Sequence, residues 1–207
     1  MPYLTINGKD GKRLAYAVEG EGFPLILVPA LDGLVSDWAP QMPLLGELCR
    51  TLAYAYDGQV NVACATVPIQ LPARVQDLEI LLGYVDIERA YLAGYADGGF
   101  VALQMALSSP KRVEGLLLIG VDMARPEDHL DALTVPTCVF VGEMADNHVN
   151  CSAQLAARVP HVAQCIISEA ATAPHREQPL RLAHAMLDFL IQCERQRNLV
   201  RGASFLL

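Results

Sequence analysis

The 207-residue sequence lacks the features that would assign it to a membrane, to secretion or to nucleic acid. Its opening segment has no basic stretch followed by an apolar core, and no apolar run reaches the length that crosses a bilayer. Basic residues are in deficit, with 15 Lys and Arg against 23 Asp and Glu. This balance argues against nucleic acid and anionic membranes as partners, and we predict a cytoplasmic protein.

Metal-binding and disulfide patterns are missing as well. The six cysteines show no CxxC or CxxH spacing, and no other residues have the spacing of metal ligands. Most cysteines lie in apolar runs such as "TCVFVG", where a reduced thiol behaves as a small core residue. The glycine-rich "GYADGG" lacks the Lys-Ser/Thr of a phosphate loop. We therefore expect no metal, no cofactor and no disulfide framework.

The composition and the residue pattern predict one globular domain over residues 1–207. Hydrophobic residues make up 53% of the chain, and no linker-like tract divides it. Short apolar runs alternate with segments of helical period, which indicates an α/β protein with a mostly parallel central sheet and helices on both faces. Residues 1–20 predict a hairpin, and 198–207 form a tail of unknown packing. A single helix is expected over 36–49, capped by Ser36 or Asp37.

One stretch, "YLAGYADGGFVALQMALSSP" from Tyr91 to Pro110, has the pattern of a catalytic turn. An aliphatic strand reaches Gly94, and an amphipathic helix follows Gly98 and Gly99. A strand-to-helix turn of the form Gly-x-nucleophile-x-Gly places the catalytic side chain at its sharp apex. The apex residue of this chain is Ala96, which carries no group able to attack a substrate.

Together with "LVPALDGLVSDWAPQMPLL", "VPTCVFVGEMADNHV" and "PHREQPLRLAHAMLDFL", this turn resembles the α/β-hydrolase superfamily. The opening segment is similar to the enol-lactonase and carbon–carbon hydrolase branch. The resemblance covers essentially the whole chain and implies the α/β-hydrolase fold. Between Gly120 and Thr134, where the family often inserts a helical cap, the chain has only "VDMARPEDHLDAL". We therefore expect a capless domain with an open, shallow site.

The same resemblance places the catalytic triad at Ala96, Ala145 and Thr172, and none of these residues can perform the corresponding role. Pro29 and Ala30 stand where the family shows His-Gly in the oxyanion loop. Acyl transfer by serine needs a nucleophile, a base and an orienting acid within hydrogen-bond reach of each other. An ordinary serine hydrolase is therefore not expected.

Polar residues beside these positions leave open whether the chemistry has moved. Asp97, Asp146 and His175 are the candidate catalytic residues of a relocated acid–base set, because general-base catalysis needs only a positioned group with a suitable pKa. Each also has an interpretation without catalysis: Asp97 as a helix-initiating acid, Asp146 as a solvated loop acid and His175 as a structural or surface histidine. The candidate ligand-binding residues at the same edge of the predicted sheet are Ala30, Leu31, Ala96, Asp97, Asp122 and His148.

Two functions of different class follow from the sequence. The first is a degenerate hydrolase-fold protein that binds a small apolar or carbonyl compound without serine hydrolysis. The second is a hydrolase- or lyase-type enzyme that uses Asp97, Asp146 and His175. An open site also raises the hypothesis of a homodimer in which a second subunit covers it.

Overall fold

The computed structural model describes residues 4–7, 13–30, 33–57, 71–121, 130–145, 159 and 162–204, with backbone alone at 56–57 and 200–204. Its strands are β1 (Leu4–Asn7), β2 (Arg13–Glu19), β3 (Phe23–Val28), β4 (Cys49–Asp57), β5 (Ala90–Tyr95), β6 (Val113–Ile119), β7 (Thr137–Gly142) and β8 (Val162–Ile167). The α-helices are α1 (Met42–Leu45), α2 (Leu71–Tyr84), α3 (Asp97–Ser108), α4 (Pro174–Glu177) and α5 (Pro179–Ser204). Among the described residues, three 3-10 turns cover Val35–Trp38, Pro110–Arg112 and Leu130–Ala132.

The strands form one eight-stranded sheet in the order β1-β2-β4-β3-β5-β6-β7-β8. The pairs β1–β2 and β2–β4 are antiparallel, and every pair from β4–β3 to β7–β8 is parallel. Helices α2 and α3 cover one face, and α1 and α5 cover the other. The predicted fold class, a mostly parallel sheet with helices on both faces, is confirmed.

Strand β3 shows why the central strands have continuous apolar sequences. Ile26 and Val28 belong to the core beneath α2 and α3, whereas Leu25 and Leu27 belong to the core beneath α1 and α5. All four residues are fully buried. A parallel strand with a helix layer on each face needs apolar side chains at every position. The same packing buries Cys138 in β7, as the apolar run around this cysteine predicts.

The predicted helix over 36–49 is wrong, since the structure divides this segment. A 3-10 turn covers Val35–Trp38, and α1 covers only Met42–Leu45. Pro40 and Pro43 explain the division, because proline donates no backbone hydrogen bond and its ring clashes with the carbonyl of the preceding helical turn. Asp37 does not cap a long helix, and its carboxylate accepts the backbone N–H of Leu34 at 2.8 Å.

The C-terminal helix is longer than the sequence pattern predicts. Its 26 residues continue through Ser204, into the tail that has no predicted structure. Leu182, Met186 and Leu190 are fully buried against the sheet, at the spacing expected of one helix face. None of the described helices combines the length and the apolar character of a membrane-spanning segment.

Candidate functional site

The carboxyl ends of the parallel strands bring the three predicted triad positions and the oxyanion-loop position to one edge of the sheet. The residues concerned follow β3, β5, β7 and β8 in turn, and they are Ala30, Ala96, Ala145 and Thr172. Backbone hydrogen bonds connect their loops, since Ala96 N–H donates to the carbonyl of Ile119 and Met144 N–H to that of Ala170. In open α/β sheets, ligands bind outside this edge.

The turn between β5 and α3 has the strained backbone that its sequence pattern predicts. Ala96 lies at the apex with φ 48° and ψ −119°, and α3 begins at the next residue, Asp97. Residues other than glycine rarely adopt positive φ, because their Cβ atom then lies too close to the backbone. The structure therefore holds a half-buried alanine in a conformation that normally presents a nucleophile.

Two glycines fix this turn against neighbouring strands. A Cβ atom on Gly98 would lie 2.4 Å from the carbonyl oxygen of Val28 and 2.5 Å from that of Pro29. A Cβ atom on Gly99 would lie 2.3 Å from a methyl carbon of Val121. No side chain fits at these distances, so α3 starts in direct contact with the ends of β3 and β6.

Asp97 occupies the first position of α3, where the helix dipole favours a carboxylate. It lines a cleft with an empty volume of about 220 Å³ that includes open solvent. The other residues that line this cleft are Val28, Pro29, Ala30, Tyr54, Arg74 and Val101.

Tyr54 and Arg74 are site residues that the sequence did not indicate. Tyr54 lies within the apolar stretch 52–56 of β4, and Arg74 lies in the first turns of α2. Neither residue stands in a recognisable motif, because tertiary packing decides which side chains of α2 and β4 reach the cleft.

The structure places His175 in the interior, in α4. Its side chain is 1% exposed, and its ring lies 5.1 Å from that of Trp38 and 3.9 Å from that of Tyr95. Burial lowers the pKa of His175 to about 4, as does the neighbouring Arg176, against opposing effects of Asp37 and Glu177. The imidazole is therefore neutral at neutral pH and a weak general base.

Two contacts connect α4 to the segment that follows β3. The side-chain amide of Gln41 donates to the carbonyl oxygen of His175. The guanidinium of Arg176 forms a salt bridge with Asp37, with Nη2 and Oδ2 2.9 Å apart. Because Trp38 lies between Asp37 and Gln41 in sequence, the whole turn packs against α4.

A further residue of α4, Glu177, holds the loop that contains Thr172. Its carboxylate accepts the N–H groups of Ala171 and Ala173, the latter at 3.3 Å. A Cβ atom on Gly120 would lie 2.8 Å from the carbonyl oxygen of Thr172, so the loop contacts the end of β6. The Thr172 position is therefore fixed by α4 rather than by its own side chain.

Neither Ala145 nor Thr172 supplies a group that could serve a nucleophile at the apex. Ala145 is buried with a methyl side chain, and its N–H donates to Gly142 at 3.0 Å. Thr172 is exposed and ends in a hydroxyl, which has no useful basicity near neutral pH. The structure shows no hydrogen bond between Asp97 and His175.

The other candidate site residues, Leu31, Asp122, Asp146 and His148, lie outside the described residues and stay predictions. The expected absence of a cap also concerns residues 122–129, which the structure does not describe. Within the described ranges, no group of three or more His, Cys, Asp or Glu side chains is placed to hold a metal ion.

Comparison with curated sequences finds relatives among bacterial hydrolases. The chain is 29% identical over 120 residues to a protein of Azorhizobium caulinodans named as a candidate carbamate hydrolase, RutD. The match covers 58% of this chain and 44% of that protein, so the chain spans less than half of the relative's length. No family model matches the chain.

Solved structures resemble the chain over most of its length. A hydrolase from Pseudomonas aeruginosa superposes with a TM-score of 0.77 at 19% identity, over 91% of this chain and 98% of that one. The enol-lactonase of Burkholderia xenovorans does so with a TM-score of 0.77 at 17% identity, over 92% and 100%. Identities this low establish the fold alone. The sheet order, the elbow at Ala96 and these likenesses together identify the chain as a protein of the α/β-hydrolase fold.

Proposed function

We propose that this protein binds a small neutral carbonyl compound at the elbow and does not hydrolyse it through a covalent intermediate. The observation that supports this proposal is Ala96 at the apex, in the backbone conformation of a nucleophile elbow. The backbone N–H groups at the start of α3 remain as donors at the elbow, and the apex holds no attacking group. The predicted loss of the triad at Ala145 and Thr172 agrees with this function.

The donors for a carbonyl oxygen come from the backbone. The first N–H groups of a helix have no partner within the helix, and the N–H of the residue after the apex forms part of the oxyanion hole in this kind of turn. In this chain that residue is Asp97. Its carboxylate repels an anion at the same place, so a neutral carbonyl group is favoured over a carboxylate.

The lining of the cleft defines the rest of the ligand. Val28, Pro29, Ala30 and Val101 supply an apolar wall, and Arg74 and Tyr54 add polar atoms. A short aliphatic amide, carbamate, ester or lactone matches this combination. Carbamates are the first compounds to test, because the relative from Azorhizobium is named as a candidate carbamate hydrolase.

The absence of a nucleophile has a large kinetic consequence. In a serine protease, loss of the triad lowers kcat by about 10⁶-fold, and what remains comes from the oxyanion hole and from binding. We therefore expect bound carbonyl compounds to persist. We also propose that no cap covers the site and that, in a homodimer, a second subunit covers it.

A second candidate function is acid–base catalysis without a covalent step, with Asp97, Asp146 and His175 as its residues. The half-exposed position of Asp97 in the cleft favours it, since a carboxylate there can activate a water molecule. The burial and the low pKa of His175 count against a role for that residue as the base.

Binding and turnover can be measured in one experiment with ethyl carbamate, acetamide and γ-butyrolactone as probes. Ligand-observed NMR on the wild-type protein should show binding at millimolar concentration and unchanged probe after a day. Ala96→Leu should abolish binding by filling the site, whereas Ala163→Leu, an exposed alanine of β8, should not.

Two results would contradict the binding function. If the wild-type protein bound none of the three probes, the proposal would fail. If a probe were consumed, and Asp97→Asn stopped its consumption while the exposed-site variant His184→Gln did not, the acid–base enzyme would be correct instead.

A further inference from the structure

Three aromatic rings from three separate elements pack together beside the elbow at tilted angles. His175 of α4 lies between Trp38, in the turn after β3, and Tyr95, the last residue of β5. The centroid of the His175 ring lies 5.1 Å from that of Trp38 and 3.9 Å from that of Tyr95. Because Tyr95 precedes Ala96 directly, these ring contacts connect the apex to the turn that contains Trp38 and to α4.

The surroundings of His175 provide no acceptor for a second ring proton. Its Nδ1 atom is buried and has no hydrogen-bond partner within the described ranges. The two nearby carboxylates are already engaged. Asp37 binds the Arg176 guanidinium and the Leu34 N–H, and Glu177 accepts N–H groups of the Thr172 loop. Arg176 is itself a cation and disfavours another positive charge beside it.

We propose that His175 is the positioning residue of the elbow site, and that protonation of its ring releases α4 and the Thr172 loop from the turn containing Trp38. The inference rests on the proposed function, because it concerns the loops that flank the same site. In its neutral form the ring holds α4 and the Thr172 loop against the turn containing Trp38. In its charged form it must reach water, since a buried unpaired charge is far more costly than a local opening.

The movement is confined to the elements that His175 connects. Glu177 ties α4 to Ala171 and Ala173, so the loop moves together with the helix. Helix α5 keeps its own buried contacts with the sheet through Leu182 and Met186. The sheet and the long helix therefore stay folded while the rim of the site opens.

The structure also sets the pH range of this opening. Burial and Arg176 lower the pKa of His175 to about 4 in the closed form, whereas a solvated histidine titrates near 6.5. The transition must lie between these two values, and its position reports how readily α4 opens. Above a pH of about 6.5 the ring is neutral and α4 stays packed against the turn.

Trp38 provides a direct readout, since it is the only tryptophan in the chain. Its emission should be recorded without ligand from a pH of about 7.5 to about 4, in parallel with far-UV circular dichroism. In the wild-type protein the emission should shift to longer wavelength and become accessible to acrylamide, while the dichroism stays constant. His175→Phe should remove the transition, and His184→Gln, an exposed histidine of α5, should keep it.

The inference is overturned if His175→Phe shows the wild-type emission transition, or if dichroism and emission change together in the wild-type protein. If His175→Phe does not fold, His175→Gln takes its place. If neither variant folds, hydrogen exchange of the wild-type protein decides. Protection factors of residues 170–178 must then fall in acid while those of β3 and β5 hold, and a uniform change refutes the inference. Since no ligand is present, failure here is distinguishable from failure of the binding probes.

Discussion

Replacing Ala96 by glycine measures the strain that the elbow holds. At φ 48° and ψ −119°, the backbone of Ala96 is in a region that only glycine enters freely. Residues held in such regions cost about 1–3 kcal/mol. Glycine removes this cost but makes the unfolded chain more flexible, which lowers stability by about 0.5–1 kcal/mol. The difference predicts that Ala96→Gly raises the free energy of unfolding by about 1 kcal/mol.

A matched alanine makes the sign of this effect unambiguous. Ala185 is half-buried within α5, and Ala185→Gly should lower the free energy of unfolding by about 1 kcal/mol. Urea denaturation followed by circular dichroism gives both values, provided that the slope with denaturant is the same in all proteins. If Ala96→Gly destabilises the protein as much as Ala185→Gly does, the apex is not strained, and the elbow geometry loses its significance.

Four further outcomes are expected. Gly98→Ala should destabilise the fold by about 2–3 kcal/mol in thermal denaturation, because its Cβ would lie 2.4 Å from the Val28 carbonyl oxygen. Tyr91→Phe should cost about 1 kcal/mol in the same assay, since it removes the 2.8 Å hydrogen bond to Glu194; no loss would mean that the bond contributes nothing. For His175, the unfolded state binds the proton more tightly than the folded state. Stability is therefore complete above a pH of about 6.5 and falls as the pH drops towards about 4, by at most about 2 kcal/mol at pH 5 and by less if α4 opens first. The pH dependence of urea unfolding should show this loss in the wild-type protein and not in His175→Phe. Finally, sedimentation at micromolar concentration should show a dimer, and a monomer would remove the hypothesis of a shared site.

The parallel strands and the elbow could be predicted because local sequence determines both. The runs that became β3 and β5 carry no charged residue, and β6 is apolar from Gly115 to Ile119, as a strand buried on both faces requires. Gly98 and Gly99 mark the elbow, because their contacts with neighbouring strands leave no room for a side chain. In both cases the physical constraint acts on a few consecutive residues and is therefore visible in sequence.

The position of His175 could not be predicted, because its burial depends on distant residues. It stands in the polar segment "TAPHREQP", which is typical of a surface loop. Its contacts come from Trp38 and from Gln41, the latter 134 residues earlier in the chain. Arg74 shows the same limitation, since it reaches the cleft only through the tertiary packing of α2. The site was thus predictable at its apex and not at its rim.

The elbow is also a convenient attachment point for a chemical label. Its backbone projects whichever side chain stands at position 96 towards the same place, half-exposed at the edge of the sheet. The native thiols of Cys49, Cys138 and Cys193 are buried, and burial raises the pKa of each of them, so they react slowly with thiol reagents. A cysteine introduced by Ala96→Cys would react faster than these three, and a spin label or fluorophore fixed there would report directly on what enters the site.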